Sequence, residues 1–212
     1  GDADGAVTGN TRRFGASLDK IKQVVDVRNG EIMFGLNMVV HKGRTIFVGD
    51  TSVHEYPTSE QLAEIAVSTA RVVRLFGFDP KVAFVSHSTF GQPLTSRTKH
   101  IRKAVDILKE KEVDFEFDGD MQPDVALNSE YEELYPFSKI VGKANILIMP
   151  GQHSAAISYK MLKTLGDTKV IGPLLIGLGL PIEIAPLRSS TSEIINLASI
   201  AAYSADVIDY NK

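Results

Sequence analysis

The sequence predicts an α/β fold built on a largely parallel sheet. Short apolar runs alternate with helix-period segments along the whole chain, which is the pattern of strands joined by crossover helices. Two of the helical segments open on capping boxes, Thr58 with Gln61 and Ser190 with Glu193, which fix where a helix begins. Residues 141–160 then read as a strand, a Pro150-Gly151 turn and a helix. That order delivers polar groups to a strand's carboxyl end, where open α/β sheets bind ligands.

The elements follow in order. Residues 11–25 have helical spacing, with Phe14, Leu18, Ile21 and Val25 on one side. Arg12 and Arg13 stand at its beginning, where the helix dipole does not favour cations, so either a bound anion or plain solvation accounts for them. Runs at 35–41 and 44–48 flank Lys42-Gly43 and predict a hairpin. Asp50 closes the second run, and the loop after it carries His54 to the helix that starts at Thr58 and stops at Gly77.

A short strand at 81–85 leads into Ser86-His-Ser-Thr-Phe-Gly-Gln92 and then a helix from about Ser96. Hydroxyls and glycine between strand and helix suit phosphate or carbonyl recognition, and they suit an unliganded polar loop equally. The helix shows Arg97, Lys99, His100, Arg102, Lys103 and Lys109, a basic face best read as solvated. Residues 115–117 and 125–127 read as extended, with an acidic turn between them. Asp118 and Asp120 lack further ligands at metal spacing, so no metal site is expected. A helix over 155–165, extended runs at 170–173 and 174–178, a segment at 180–186 and a last helix over 191–203 complete the pattern.

Composition narrows the function classes. With 23 basic and 26 acidic residues among 212, the formal charge is −3 and no block of like charge occurs, so neither nucleic acid nor an anionic membrane is an expected partner. No cysteine is present, which excludes disulfides and thiolate chemistry and is compatible with a cytoplasmic location. The five histidines show no metal-ligand spacing. The chain starts Gly-Asp-Ala-Asp without methionine, and a piece of a longer protein is expected.

Several ordered blocks resemble the phosphotransacetylase (phosphate acetyl/butyryltransferase) family. They are Asp50 through Pro57 with Gln61-Leu-Ala-Glu-Ile-Ala66, Val82 to Thr89, Gly142 to Pro150, Tyr159-Lys160, and Ile171-Gly-Pro173 with Gly177 and Pro181. A narrower match rests on Thr11-Arg12, Arg44 to Asp50, Ser88-Thr-Phe-Gly91, Phe115 to Met121, Asp124 to Asn128, Tyr135-Pro-Phe137 and His153-Ser-Ala155. These look like the C-terminal phosphotransacetylase-like domain of large bacterial malic enzymes.

The resemblance implies two α/β lobes with a cleft between them and a truncated first lobe. Residues 1–30 and 180–212 would belong to the first lobe and 31–179 to the second. It also implies acetyl-CoA as a regulatory ligand, with NAD(P) and a divalent metal confined to an attached malic-enzyme module. A homo-oligomer, at least a dimer, is expected.

Active members of the family carry a Ser-Arg-Gly turn, an aspartate in the last helix as proposed base, and an arginine in a first-lobe helix. A gapless alignment from Pro181 to Ile194 places Pro186, Leu187 and Arg188 on the turn and Glu193 on the aspartate. Asp19 falls on the helix arginine, and Ala155-Ala156 replaces a Gly-Asn pair. Transferase activity is therefore expected to be weak, with Glu193 and Arg188 its carriers if it persists through a one-residue shift. The implied ligand contacts are Arg12, Ser88, Thr89, Gln152, His153, Lys160, Arg188 and Glu193. Two rival expectations stand beside the regulatory one: a working phosphate acetyltransferase, and a domain that mainly assembles subunits.

Overall fold

A computed structural model describes residues 2–207; residue 1 and residues 208–212 of the expected first lobe lie outside them. In chain order the elements are β1 (Ala6–Gly9), α1 (Phe14–Ile21), β2 (Phe34–His41), β3 (Arg44–Gly49), α2 (Ser59–Leu75) and β4 (Lys81–Val85). Then come α3 (Ser96–Glu110), β5 (Glu116–Met121), α4 (Pro123–Leu127), β6 (Ile146–Ile148), α5 (Gln152–Leu165), β7 (Thr168–Ile176), β8 (Ile182–Ala185) and α6 (Thr191–Val207).

Two sheets form. The larger has the order β5-β4-β6-β3-β2-β7, and the smaller pairs β1 with β8. β5, β4, β6 and β3 run parallel, as do β1 and β8, whereas β2 is antiparallel to both its neighbours. The expected hairpin is what inverts β2. Lys42 and Gly43 both take positive φ, 47° and 78°, the combination that a two-residue turn between twisted strands requires.

Strand residues alternate between two cores. Phe47, Phe84, Ile146 and Ile148 face α2 and α3, burying Leu62, Ile65, Ala66, Ile101 and Leu108. Their neighbours Val48, Ala83, Val85 and Leu147 face the opposite side, against Val125, Ala126, Ile140 and Ala155. The period of two thus gives the larger sheet a covered face on each side. A third cluster joins Leu18 and Ile21 of α1 to Leu175, Leu178 and Ile184, with Val53 from the loop after β3 packed on it.

Four expectations need correction. Residues 125–127 are not extended but lie in α4, because Pro123 at the first helical turn presets φ and Asp124 suits the helix N-terminus. The runs at 170–173 and 174–178 are largely one strand, β7. Its Gly172-Pro173 is tolerated because β7 is an edge strand and its pairing with β2 is irregular between Leu36 and Met38. The first helix is shorter than 11–25, and α5 opens three residues earlier than predicted, at Gln152.

Candidate functional site

Loops at the carboxyl ends of strands in the two sheets carry the candidate residues. The first follows β3 and is pinned by Asp50, whose carboxylate is 1% exposed. It accepts backbone N–H groups from Gly35 and Ser52 at 2.8 Å, Val53 at 3.1 Å and His54 at 2.7 Å, and also contacts His54 Nδ1 at 2.7 Å. One buried carboxylate therefore ties the loop to β2 and orients the His54 ring. The same loop meets the turn before α5, where Gln152 N–H donates to the His54 carbonyl at 3.1 Å. Gly151 is required there: a Cβ would stand 2.5 Å from the Glu55 carbonyl oxygen.

Gln152 is half-buried at the first turn of α5. His153 is exposed, with Nε2 3.3 Å from Glu55. Lys160, also exposed, lies over the Tyr159 ring at 5.9 Å from its centroid. Burial pushes the Tyr159 phenol above its ordinary pKa.

The second loop follows β4. Ser88 is fully buried, and its hydroxyl donates to Asp120 Oδ2. Asp120 also accepts from Gly91 N–H at 2.9 Å and has Arg102 3.6 Å away. Ser88 thus braces β4 against β5 and faces no open space. Thr89 is half-buried, and its hydroxyl accepts the Gln122 N–H at 3.2 Å. Asp118 bonds its neighbour's amide, Gly119 N–H, at 2.8 Å. The basic face of α3 is partly neutralised: Lys103 pairs with Glu60 at 2.7 Å and Lys109 with Asp106 at 2.9 Å.

The third loop pair belongs to the smaller sheet. Asn10 N–H donates to the Ala185 carbonyl at 2.8 Å, and Arg188 N–H to the Asn10 carbonyl at 3.3 Å. The segment carrying Arg12 therefore lies against the segment carrying Arg188, at the carboxyl ends of β1 and β8. Both arginines are exposed, and neither makes an ion pair among the described residues. Arg188 holds its backbone at φ 62°, an αL conformation uncommon outside glycine.

Glu193 stands beyond that loop in the first turn of α6. Its carboxylate accepts from Ser190 N–H at 2.7 Å and Ser190 Oγ at 2.9 Å, completing the capping box, and from Lys163 Nζ at 2.6 Å. The Lys163 ammonium foremost, then the Ser190 bonds, hold this carboxyl down at about 2. So acidic a carboxyl is a poor acceptor for a thiol proton, since a general base works best with a pKa near the operating pH. Lys163 was not singled out in the sequence, and it links α5 to α6. Lys160, one turn before it, shares that side of the helix.

The structure thus lays the segment that carries Arg12 against the segment that carries Arg188, ties Glu193 to α5, and joins Gln152 and His153 to the loop of Asp50. It commits Ser88 to the interior. Among the described residues no cluster of three or more His, Asp or Glu could hold a metal. No helix there is long and apolar enough to cross a membrane.

Known proteins share this arrangement. The family model described as phosphate acetyl/butaryl transferase matches residues 1–202. The NADP-dependent malic enzyme of Rhizobium meliloti (strain 1021) is 47% identical over 205 residues, which cover 97% of this chain and 27% of that protein. The phosphate acetyltransferase of Bacillus subtilis (strain 168) is 31% identical over 207 residues, covering 97% of this chain and 64% of that enzyme. A phosphotransacetylase structure from Streptococcus pyogenes superimposes with a TM-score of 0.90 at 31% identity, over 96% of this chain and 63% of the other. The chain therefore spans about a quarter of the malic enzyme and under two thirds of the transferases.

Proposed function

The chain belongs to the phosphate acetyl/butaryl transferase family, and we propose that it is the phosphotransacetylase-like domain of a malic enzyme, binding acetyl-CoA as a regulatory ligand with little transferase activity of its own. The observation that carries this reading is the state of Glu193. The residue aligned with the family's proposed base is locked by Lys163 and Ser190 with its carboxyl held down at about 2. Pro186 and Leu187 supply neither the hydroxyl nor the guanidinium expected of the turn before it. Each lost charge-assisted hydrogen bond removes about 1.5–3 kcal/mol, so two such losses slow turnover on the order of a hundredfold or more.

Binding has support of its own. Arg12 and Arg188 present two unpaired guanidiniums on adjoining segments, a fit for the phosphates of CoA. Regulation follows if acetyl-CoA binds two arrangements of the attached protein unequally. In this proposal NAD(P) and a divalent metal act only in the malic-enzyme module, and the working location is the cytoplasm. The test is acetyl phosphate formation from acetyl-CoA and phosphate. The chain is expected to turn over on the order of a hundredfold or more slowly than a working phosphotransacetylase, and robust turnover abolished by Arg188→Ala would establish a working acetyltransferase instead.

A subunit-assembly role has one observation in its favour. α5 buries only Ala155 and leaves Ile157, Met161, Leu162 and Leu165 exposed along one side, a stripe suited to a second copy of the same helix. Sedimentation equilibrium should find a dimer that Met161→Glu dissociates; a monomer at tens of micromolar would exclude this surface.

A further inference from the structure

The opening of β8 and the later turns of α6 wall a cavity of about 250 Å3, away from the edge that carries Arg188. Val72 and Leu75 of α2, Phe76 just after it, Ile176 of β7 and Ile200 of α6 give it an apolar lining. Glu183 of β8 is set into that lining and is 3% exposed. Among the described residues its carboxyl makes one hydrogen bond, Oε2 accepting the Leu175 N–H at 3.0 Å. A carboxyl has about four such positions, so most of its capacity is unused. Buried polar groups are ordinarily paired. A buried acid with a single partner, lining an apolar cavity near the lower size limit of small-molecule pockets, has the composition of a binding site.

We propose that this cavity binds a small neutral carbonyl compound with an apolar body, such as an aryl ketone, whose oxygen accepts a hydrogen bond from the Glu183 carboxyl. The size fits: an apolar cavity of about 150 Å3 takes benzene, so the larger volume here has room for a ring with an acetyl group. An amine is disfavoured. Burying an ammonium against Glu183 desolvates two ions, and their attraction repays that only where further hydrogen bonds complete the pair. Burial pushes the Glu183 carboxyl up to about 8, against the opposing bond from Leu175 N–H, so at neutral pH it carries the proton it donates. As pH rises through about 8 that proton leaves, a carbonyl oxygen then meets a carboxylate, and affinity falls. The other titratable groups lining the cavity are Arg71 on α2, Arg28 and Glu31 before β2, and Tyr203 on α6. Residues 174–176 of β7 and the paired strand β1 contribute none. Glu31 pairs with both arginines, and the Tyr203 hydroxyl donates to the Leu75 carbonyl at 2.8 Å. Recognition makes no use of charge on that rim.

The experiment is calorimetric titration of the 212-residue chain with acetophenone, alongside 1-phenylethylamine, its amine counterpart. Saturable one-to-one binding of acetophenone at pH 7 is expected, tighter than that of the amine and weakening about threefold to tenfold by pH 9 as the donated hydrogen bond is lost. Glu183→Gln keeps both an N–H donor and an acceptor for Leu175 N–H, so it should bind acetophenone at pH 7 and show no decline toward pH 9. That variant separates the titration of Glu183 from that of the rim. Ser204→Trp, which places a large ring in the cavity from a half-buried helix position, should abolish binding while the melting temperature confirms a folded chain. The proposal is overturned if acetophenone shows no saturable binding at millimolar concentration, if the amine binds as tightly, if the decline toward pH 9 is absent or persists in Glu183→Gln, or if a folded Ser204→Trp binds acetophenone unchanged.

Discussion

Asp50→Ala should cost the fold about 3–5 kcal/mol. The carboxylate is 1% exposed and accepts four backbone N–H groups and faces the His54 ring. Its removal leaves those donors without a partner in a site that admits little water. Each unsatisfied buried donor costs about 1–3 kcal/mol, and relaxation of the loop keeps the total below the simple sum. Urea unfolding followed by circular dichroism reads the difference. Asp50→Asn retains one acceptor oxygen and should lose less, and a loss under about 1 kcal/mol for the alanine variant would show that the loop is held by other contacts. The consequence reaches further than β3, since Gln152 N–H bonds the His54 carbonyl. Loosening the loop also loosens the start of α5.

Arg12→Ala combined with Arg188→Ala should weaken acetyl-CoA binding by about 3–6 kcal/mol, on the order of a hundredfold to ten-thousandfold. The two segments are joined by the Arg188 N–H bond to the Asn10 carbonyl, so both guanidiniums address one edge. Neither is committed to a carboxylate among the described residues, so removing them strands no buried partner, and the melting temperature should move little. Rising salt should reproduce part of the loss by screening. If the double variant binds acetyl-CoA as the parent does, the ligand lies elsewhere.

Local signals in the sequence located most of the framework. The Lys42-Gly43 turn, the Thr58–Gln61 box and the alternation through Phe47 and Val48 are decided by residues within a few positions of each other. The stretch 125–127 misled because Val-Ala-Leu suits a strand, while Pro123 and Asp124 just before it set a helix. The site was legible as a set of loops at strand ends, but the commitments of its side chains were not. Ser88 bonds Asp120 from 32 positions away, and Lys163 reaches Glu193 across 30. Such pairs form only once the sheets are assembled, and no periodicity records them. Glu183 is similar: within its segment it reads as one polar residue between two isoleucines, and only the assembled fold buries its carboxyl and pushes it up to about 8.

The central claim is that this domain holds acetyl-CoA without consuming it. Titration of the chain with acetyl-CoA in phosphate buffer, following heat and thioester absorbance together, tests it most directly. The prediction is saturable binding that Arg12→Ala and Arg188→Ala weaken, with the thioester intact at the end. Loss of the thioester with stoichiometric acetyl phosphate, or no binding at millimolar acetyl-CoA, would contradict it.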